Sequence, residues 1–196
     1  VKRRKLEPII IETSLDLFRK KGFDEVSVMD ICEACDITKP TFYKYAASKG
    51  ELLNFFFTRL PKDLDENWDD LSKYDCVWNC VSSTLQQLLQ NFMAYGIDLC
   101  TQLYIQNIET EYDTFKVPAD FKNKLIDVIE KGKKEHEFAN TSSAAQLADL
   151  SLTSLIGYGA YWVLYNGEKD VVEDYLTSLK IILFCKEKED EDEPQG

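Results

Sequence analysis

Start and stop signals between Gly22 and Pro61 cut the first third of this chain into short helical pieces, and that punctuation restricts the fold more than any other feature. Ile9 to Lys21 reads as a helix: Ile11, Leu15 and Phe18 share a face, with Ile10, Ser14 and Leu17 beside them. Gly22 stops it as the residue after the C-cap, where glycine takes a left-handed backbone at little cost. Ser27 caps a second, short helix, with Asp30 three residues on as the short-chain form of a capping box. Val28, Ile31 and Cys32 give it an apolar face. Thr38 caps a third helix, Pro40 falls in its first turn where a missing N–H is harmless, and Phe42, Tyr43 and Tyr45 follow. Ser48 and Glu51 open a fourth, apolar at Leu52, Leu53, Phe55, Phe56 and Leu60 and closed by Pro61. The second and third helices are separated by about three residues, the spacing of a helix-turn-helix.

The rest of the chain is helical as well. Residues 62–75 are polar and read as a linker or a ragged helix. Longer helices are expected near 76–94, 97–111, 118–136, 142–165 and 169–187, with Pro118 opening the third and Gly167 separating the last two. The fold class is therefore all-α: a three-helix helix-turn-helix domain over 1–60, then a larger helical domain over 61–187. A charge-dense acidic tail, 188–196, is expected to be disordered. No run of about 18 uncharged apolar residues occurs, so no membrane span is expected. The basic start, Val1 to Lys5, lacks the apolar stretch of a secretory signal. Six scattered cysteines do not make a disulfide framework. Cys32 and Cys35 are spaced C-x-x-C, and Cys76 and Cys80 C-x-x-x-C; a metal site would need all four to converge. The apolar pattern around the first pair favours buried free thiols over redox or metal chemistry, and reduced thiols suit a cytoplasmic protein.

The net charge of -12 argues against a nucleic-acid partner until its distribution is considered. Residues 1–60 hold 11 Lys/Arg and 9 Asp/Glu, whereas residues 61–196 hold 12 and 26. Only the first part can lie against phosphate. Within it, a helix entering the major groove presents its N-terminal residues to base edges, which nominates Thr38, Lys39, Thr41, Tyr43 and Lys44. Thr41 can meet a base edge or a thymine methyl, and Lys39 or Lys44 can reach guanine or phosphate. Capped helix starts near Ser27 and Ser48 offer free N–H groups to phosphate, and Lys2, Arg3, Arg4 and Lys5 add nonspecific attraction.

The run LDLFRKKGFDEVSVMDICEACDITKPTFYKYAASKGELL, Leu15 to Leu53, resembles the DNA-binding domain of the TetR family of transcriptional regulators. A glycine-aromatic corner at Gly22 and Phe23, a capped helix, a tight turn, a T-[LF]-Y helix and an S-K-x-x-L helix start occur in that order. The resemblance implies that the Ser27 hydroxyl meets a phosphate, that Tyr43 faces DNA and that Lys49 touches the backbone. It also implies a homodimer on a palindromic operator in double-stranded DNA, with repression relieved by a small effector. One position departs from the family: Ala46 stands where Phe is usual, which weakens the packing of the recognition helix unless another side chain fills the gap.

Beyond residue 60 the interior is rich in Tyr and Phe, without a convergent basic cluster. Tyr95, Cys100, Tyr104, Ile108, Phe121, Leu125, Leu155 and Tyr158 are the candidate lining of a pocket for an apolar or aromatic effector, plain core packing being the competing reading. The last two helices are apolar over more of their circumference than one core face requires. Leu147, Ser151, Ile156, Leu176, Leu179 and Leu183 are the candidate dimer contacts, giving an isologous four-helix interface. His136 is the only histidine, and no nucleophile-and-base set or Gly-rich phosphate loop is recognisable, so neither an enzyme, a metal nor a cofactor is expected. A second reading stays open on sequence: a helical protein-protein adaptor that has lost DNA binding.

Overall fold

A computed structural model describes residues 3–58, 60, 61, 64, 68, 71–110 and 115–185. The acidic tail 188–196, Lys2, the side chains of Arg3, Arg4 and Lys5, and most of 62–70 lie outside the described residues. Four helices come first: α1 (Arg3–Lys21), α2 (Val28–Ala34), α3 (Lys39–Phe42) and α4 (Lys49–Phe57). Helix α1 begins six residues earlier than its apolar pattern, carrying Pro8 within it. Its inner face buries Ile10, Ile11 and Phe18, and the buried Ser14 hydroxyl donates to the Ile10 carbonyl at 2.6 Å. Gly22 ends the helix at φ 87°, as its N–H returns to Phe18 O at 2.9 Å. The chain then turns so that Phe23 packs on Phe18, ring centroids 5.0 Å apart.

Helix α3 is shorter than expected. The α-helix ends at Phe42, and Tyr43 to Tyr45 form hydrogen-bonded turns that close with Ala46 N–H on Phe42 O at 3.1 Å. Phe42 and Ala46 are buried and pin this unit to the domain. The Ser48 cap is as expected, its hydroxyl accepting from Glu51 N–H at 3.1 Å, but the Glu51 carboxylate accepts from Ala47 N–H instead of the cap residue's own.

Among the described residues the larger domain contains the helices α5 (Val77–Met93), α6 (Ile97–Thr110), α7 (Ala119–Lys134), α8 (Ala144–Leu164) and α9 (Val171–Leu183). Glu137 caps α5 from a distance, its carboxylate accepting from Val77 N–H at 3.0 Å and Trp78 N–H at 2.9 Å. Ser143 and Gln146 form a full capping box on α8, and Asp170 caps α9. The α8–α9 pair packs on α5 and α7 through Leu147, Ser151, Leu155, Tyr175, Leu179 and Leu183.

That packing corrects the expected dimer contacts. Leu147, Ser151, Leu179 and Leu183 are fully buried within their own chain, and Leu176 and Ile156 are half-buried. The outward stripe is different: Leu150, Tyr161 and Leu164 on α8, with Ile181 and, just past its end, Phe184 on α9. Both sides of these helices are apolar, so periodicity alone does not say which side meets the chain's own core. Leu179→Ala is expected to cost about 2–5 kcal/mol of stability by opening a core cavity. A thermal melt with an unchanged midpoint would count against this placement.

Candidate nucleic-acid interface and ligand cavity

Helix α2 starts in a complete capping box. The Ser27 hydroxyl accepts from Asp30 N–H at 3.2 Å and donates to the Asp30 carboxylate, which also accepts from Ser27 N–H at 2.8 Å. The Ser27 hydroxyl, then its N–H, then Lys21 at 3.4 Å hold the Asp30 carboxyl at about 2. That value lies below the ordinary carboxylate value of about 3.9, so the cap's contribution is complete above pH 4 and disappears as pH falls through about 2. Asp30→Asn is expected to flatten the loss of helix signal in that window relative to the native chain, as read by circular dichroism.

Thr38, Lys39, Tyr43 and Lys44 are exposed around α3, and Thr41 is half-buried. The Thr38 and Thr41 hydroxyls pair with each other at 3.0 Å, leaving the backbone N–H groups at the start of α3 without a side-chain cap from Thr38. Tyr43 is 54% exposed and stands edge-on to buried Phe42, centroids 5.4 Å apart. The short helix and the turn after it thus expose the Thr38 hydroxyl, two ammonium groups and a phenol beside a buried aromatic base.

Lys49 does something else. Its ammonium donates to three carbonyls of the α1–α2 corner: Phe23 at 2.7 Å, Val26 at 3.0 Å and Asp24 at 3.2 Å. It also lies 4.4 Å from the Phe23 ring centroid. Three donors and three acceptors are matched, so in this geometry the group expected to meet a phosphate ties α4 to the corner instead. Lys49→Met is expected to lower stability by about 1–3 kcal/mol and to leave the salt dependence of DNA binding unchanged. A smaller salt slope with an unchanged melt would return Lys49 to the phosphate.

Helix α6 holds the same corner from the other side. Asp98 accepts from Phe23 N–H at 2.9 Å, and Gln102 donates to the Asp24 carboxylate at 3.4 Å. Tyr95 packs on Phe57 at 4.7 Å and Phe56 at 6.3 Å, with the Arg19 guanidinium 5.3 Å from its ring centroid. Asp98 and Arg19 carried no motif, since the sequence does not tell which surface charges meet across a domain junction.

A cavity open to solvent lies between α4, α5, α6, α8 and residues 115–118. Phe57, Thr58, Leu60 and Pro61 wall it at the end of α4, facing Leu88, Leu89 and Phe92 of α5 and Leu103 of α6. Both hydroxyls in the wall are engaged: Thr58 donates to Asn54 O at 2.7 Å and Tyr104 to Ile156 O at 2.9 Å. Burial pushes the Tyr104 phenol well above its ordinary value, keeping it neutral.

Of the eight residues expected in a pocket, Tyr104 and Leu155 line this cavity. Tyr95 sits at the junction just described. Cys100 is core, its thiol donating to Phe92 O at 3.2 Å. Phe121 and Leu125 are core on α7, and Tyr158 bonds the Ser178 hydroxyl at 2.7 Å between α8 and α9. Ile108 is 83% exposed. Helical spacing ranks faces as apolar or polar but does not say whether space or packing lies opposite. For that reason it also missed Leu88, Leu103, Phe115 and Gly159, and placed Ile156, a cavity residue, at the dimer contact. The cysteines are free thiols; Cys32, Cys80 and Cys100 are buried, and burial pushes Cys80 up to about 11 and Cys100 and Cys185 up to about 12. Among the described residues no group of three or more His, Cys, Asp or Glu is placed to hold a metal ion, and no helix is long and apolar enough to cross a membrane.

Residues 10–54 match the model of a family described as bacterial regulatory proteins, tetR family. An uncharacterized HTH-type transcriptional regulator of Bacillus subtilis strain 168, YuxN, is 42% identical over 27% of this chain and 20% of its own length. The chain thus aligns with about a fifth of that relative. A second from the same organism, YfiR, is 23% identical over 89% of this chain and 88% of its own. The fold is that of Thermus thermophilus FadR, a TetR-family transcriptional repressor solved in complex with lauroyl-CoA (TM-score 0.72, 17% identity, 97% of this chain and 100% of that one). It is also that of Bacillus subtilis FadR, solved with stearoyl-CoA (TM-score 0.66, 13% identity, 89% and 96%). With the capped helix-turn-helix and the family match across it, residues 10–54 are those of the tetR family of bacterial regulatory proteins, on a fold shared over nearly the whole chain with a TetR-family repressor.

Proposed function

We propose that this chain is a homodimeric, ligand-responsive repressor that binds a palindromic operator and is released from it by a small apolar effector. One observation carries the reading: a single helix, α4, belongs to both sites. Its first residue, Lys49, grips the corner that supports α2 and α3, and its last residue, Phe57, with Thr58 after it, walls the cavity. A ligand that displaces the end of α4 acts on the DNA-reading surface through a rigid element and not through a flexible linker. Thr38, Lys39, Thr41, Tyr43 and Lys44 are the proposed groove contacts, and Ser27 remains a proposed phosphate contact through its helix start. The second copy docks on the outward stripe of α8 and α9.

The effector is proposed to be an acyl chain. Apolar side chains dominate the wall, and its two hydroxyls already donate to backbone carbonyls. A compact polar aromatic would lose its water without gaining partners, whereas a hydrocarbon loses nothing. The two FadR structures, solved with lauroyl-CoA and stearoyl-CoA, support the same class. Selection of duplexes bound by the purified full chain from fragmented genomic DNA tests the DNA half of the reading. An enriched two-fold site with half-site centres one helical turn apart, about 10 base pairs, is expected. Recovery of no enriched sequence would favour an adaptor that has lost DNA binding.

A further inference from the structure

The cavity changes character along residues 115–118. Among the described residues that line it, Lys116 alone is exposed, with Phe115, Val117 and Pro118 beside it half-buried, so the cavity meets solvent along this stretch. Lys116 is also the one charged side chain among those residues. A lysine at such a border lays its methylenes on apolar surface and keeps its ammonium in water. Its place in the wall is held from both sides. The Phe115 ring stacks on Tyr104 at 4.6 Å, and Tyr104 is bonded in turn to the Ile156 carbonyl. Pro118 is the N-cap of α7, and its carbonyl accepts from Lys122 N–H at 3.0 Å. The wall's two hydroxyls, Thr58 and Tyr104, already give their protons to backbone carbonyls. The Lys116 ammonium carries three donors, so it is the side chain through which this wall can donate to a ligand.

We infer that Lys116 receives the anionic head, carboxylate or phosphate, of a ligand whose acyl chain occupies the cavity. The inference rests on the acyl reading of the effector. Burial of apolar surface is non-directional, so the wall holds a hydrocarbon without orienting it. The ammonium supplies the orientation. An anion at the solvent edge keeps most of its water and gains a charge-assisted hydrogen bond. The same anion turned inward would be desolvated without a partner. The surrounding charge sharpens the contrast: residues 61–196 hold 26 Asp/Glu against 12 Lys/Arg, so a cation at the opening offsets a domain that otherwise repels anions.

The test is a calorimetric titration of the full chain with laurate, lauroyl-CoA and methyl laurate, each below the concentration at which it aggregates. The ligands share one chain and differ in the head, which is a carboxylate, a set of phosphates or uncharged. The native protein is compared with Lys116→Met, which keeps an apolar stem, and with Lys116→Glu, and thermal melts check the fold. The expected result is about 5-fold weaker binding of the anionic ligand to the Met variant, the upper end for an exposed ion pair. The Glu variant should lose roughly 25-fold, because repulsion replaces attraction. Methyl laurate should bind the native chain and both variants alike. A loss for laurate assigns the carboxylate to Lys116, and a loss for lauroyl-CoA alone assigns a phosphate. Equal loss for every ligand, or no loss for either anion, would overturn the role of Lys116 and leave the acyl reading standing. A native protein that binds methyl laurate but neither anion would do the same. Failure of the native protein to bind any of the three would overturn both.

Discussion

Leu164→Glu combined with Ile181→Glu is expected to give a folded monomer that no longer holds its operator. Leu164 is 80% exposed, Ile181 67% and Phe184 64%, and Leu150 and Tyr161 continue the stripe along α8. Leu150, Gly157, Tyr161 and Leu164 recur at helical spacing, so they lie along one side of that helix. Each apolar square ångström removed from water there contributes about 25 cal/mol. A two-fold contact buries the stripe of both copies at once, so each substitution is felt twice. A carboxylate in the middle of the contact would have to be desolvated without a partner. Because these side chains touch solvent within one chain, the variant should melt near the native temperature. That separates it from a change at Leu179, which is fully buried and would damage the core. Losing the second half-site should weaken operator binding by about 10²-fold or more, the usual gain from tethering two sites. Sedimentation velocity and operator titration check both parts. A persistent dimer would move the interface elsewhere.

Tyr43→Phe with Lys44→Ala should produce the second large effect, at the other end of the molecule. Both residues are exposed and neither supports the core, so the fold is expected to survive. Removing one groove-reading side chain from each half-site costs about 1–3 kcal/mol per site, so the dimer should release the operator almost completely at moderate salt. If Lys44 meets phosphate, the dimer gives up two ammonium–phosphate pairs, and the slope of log affinity against log salt should fall by roughly 2. Lys49→Met is the informative comparison, since its ammonium is held by the carbonyls of Phe23, Asp24 and Val26. Titration at several salt concentrations distinguishes the two lysines.

The contrast between Lys44 and Lys49 shows what local sequence carries and what it does not. Caps and stops are local chemistry, so Gly22, the Ser27–Asp30 box, Ser48 and the helices from Val77 to Leu183 were legible from residues within four positions of each other. The outward surface of α3 was legible for the same reason, as Phe42 had to be the buried member of its turn. The destination of a long side chain is not local. Lys49 reaches carbonyls 23 to 26 residues away, and Asp98 reaches Phe23 across 75. Which apolar side of α8 faces the core, and whether Leu103 borders a cavity or another side chain, depend on how the helices settle against one another. Periodicity is the same in either case, which is why it does not separate the core residues Leu147 and Leu179 from the exposed Leu164.

Control of DNA binding by the cavity is the central claim, and one titration bears on it most directly. The dissociation constant of the native protein for its selected operator is measured with and without saturating palmitoyl-CoA, at fixed salt, with free coenzyme A as the control for added negative charge. The account predicts an increase of at least about 10-fold with the acyl compound, the scale of an ordinary allosteric coupling, and no change with coenzyme A alone. An unchanged constant with the cavity occupied, or equal release by free coenzyme A, would contradict it.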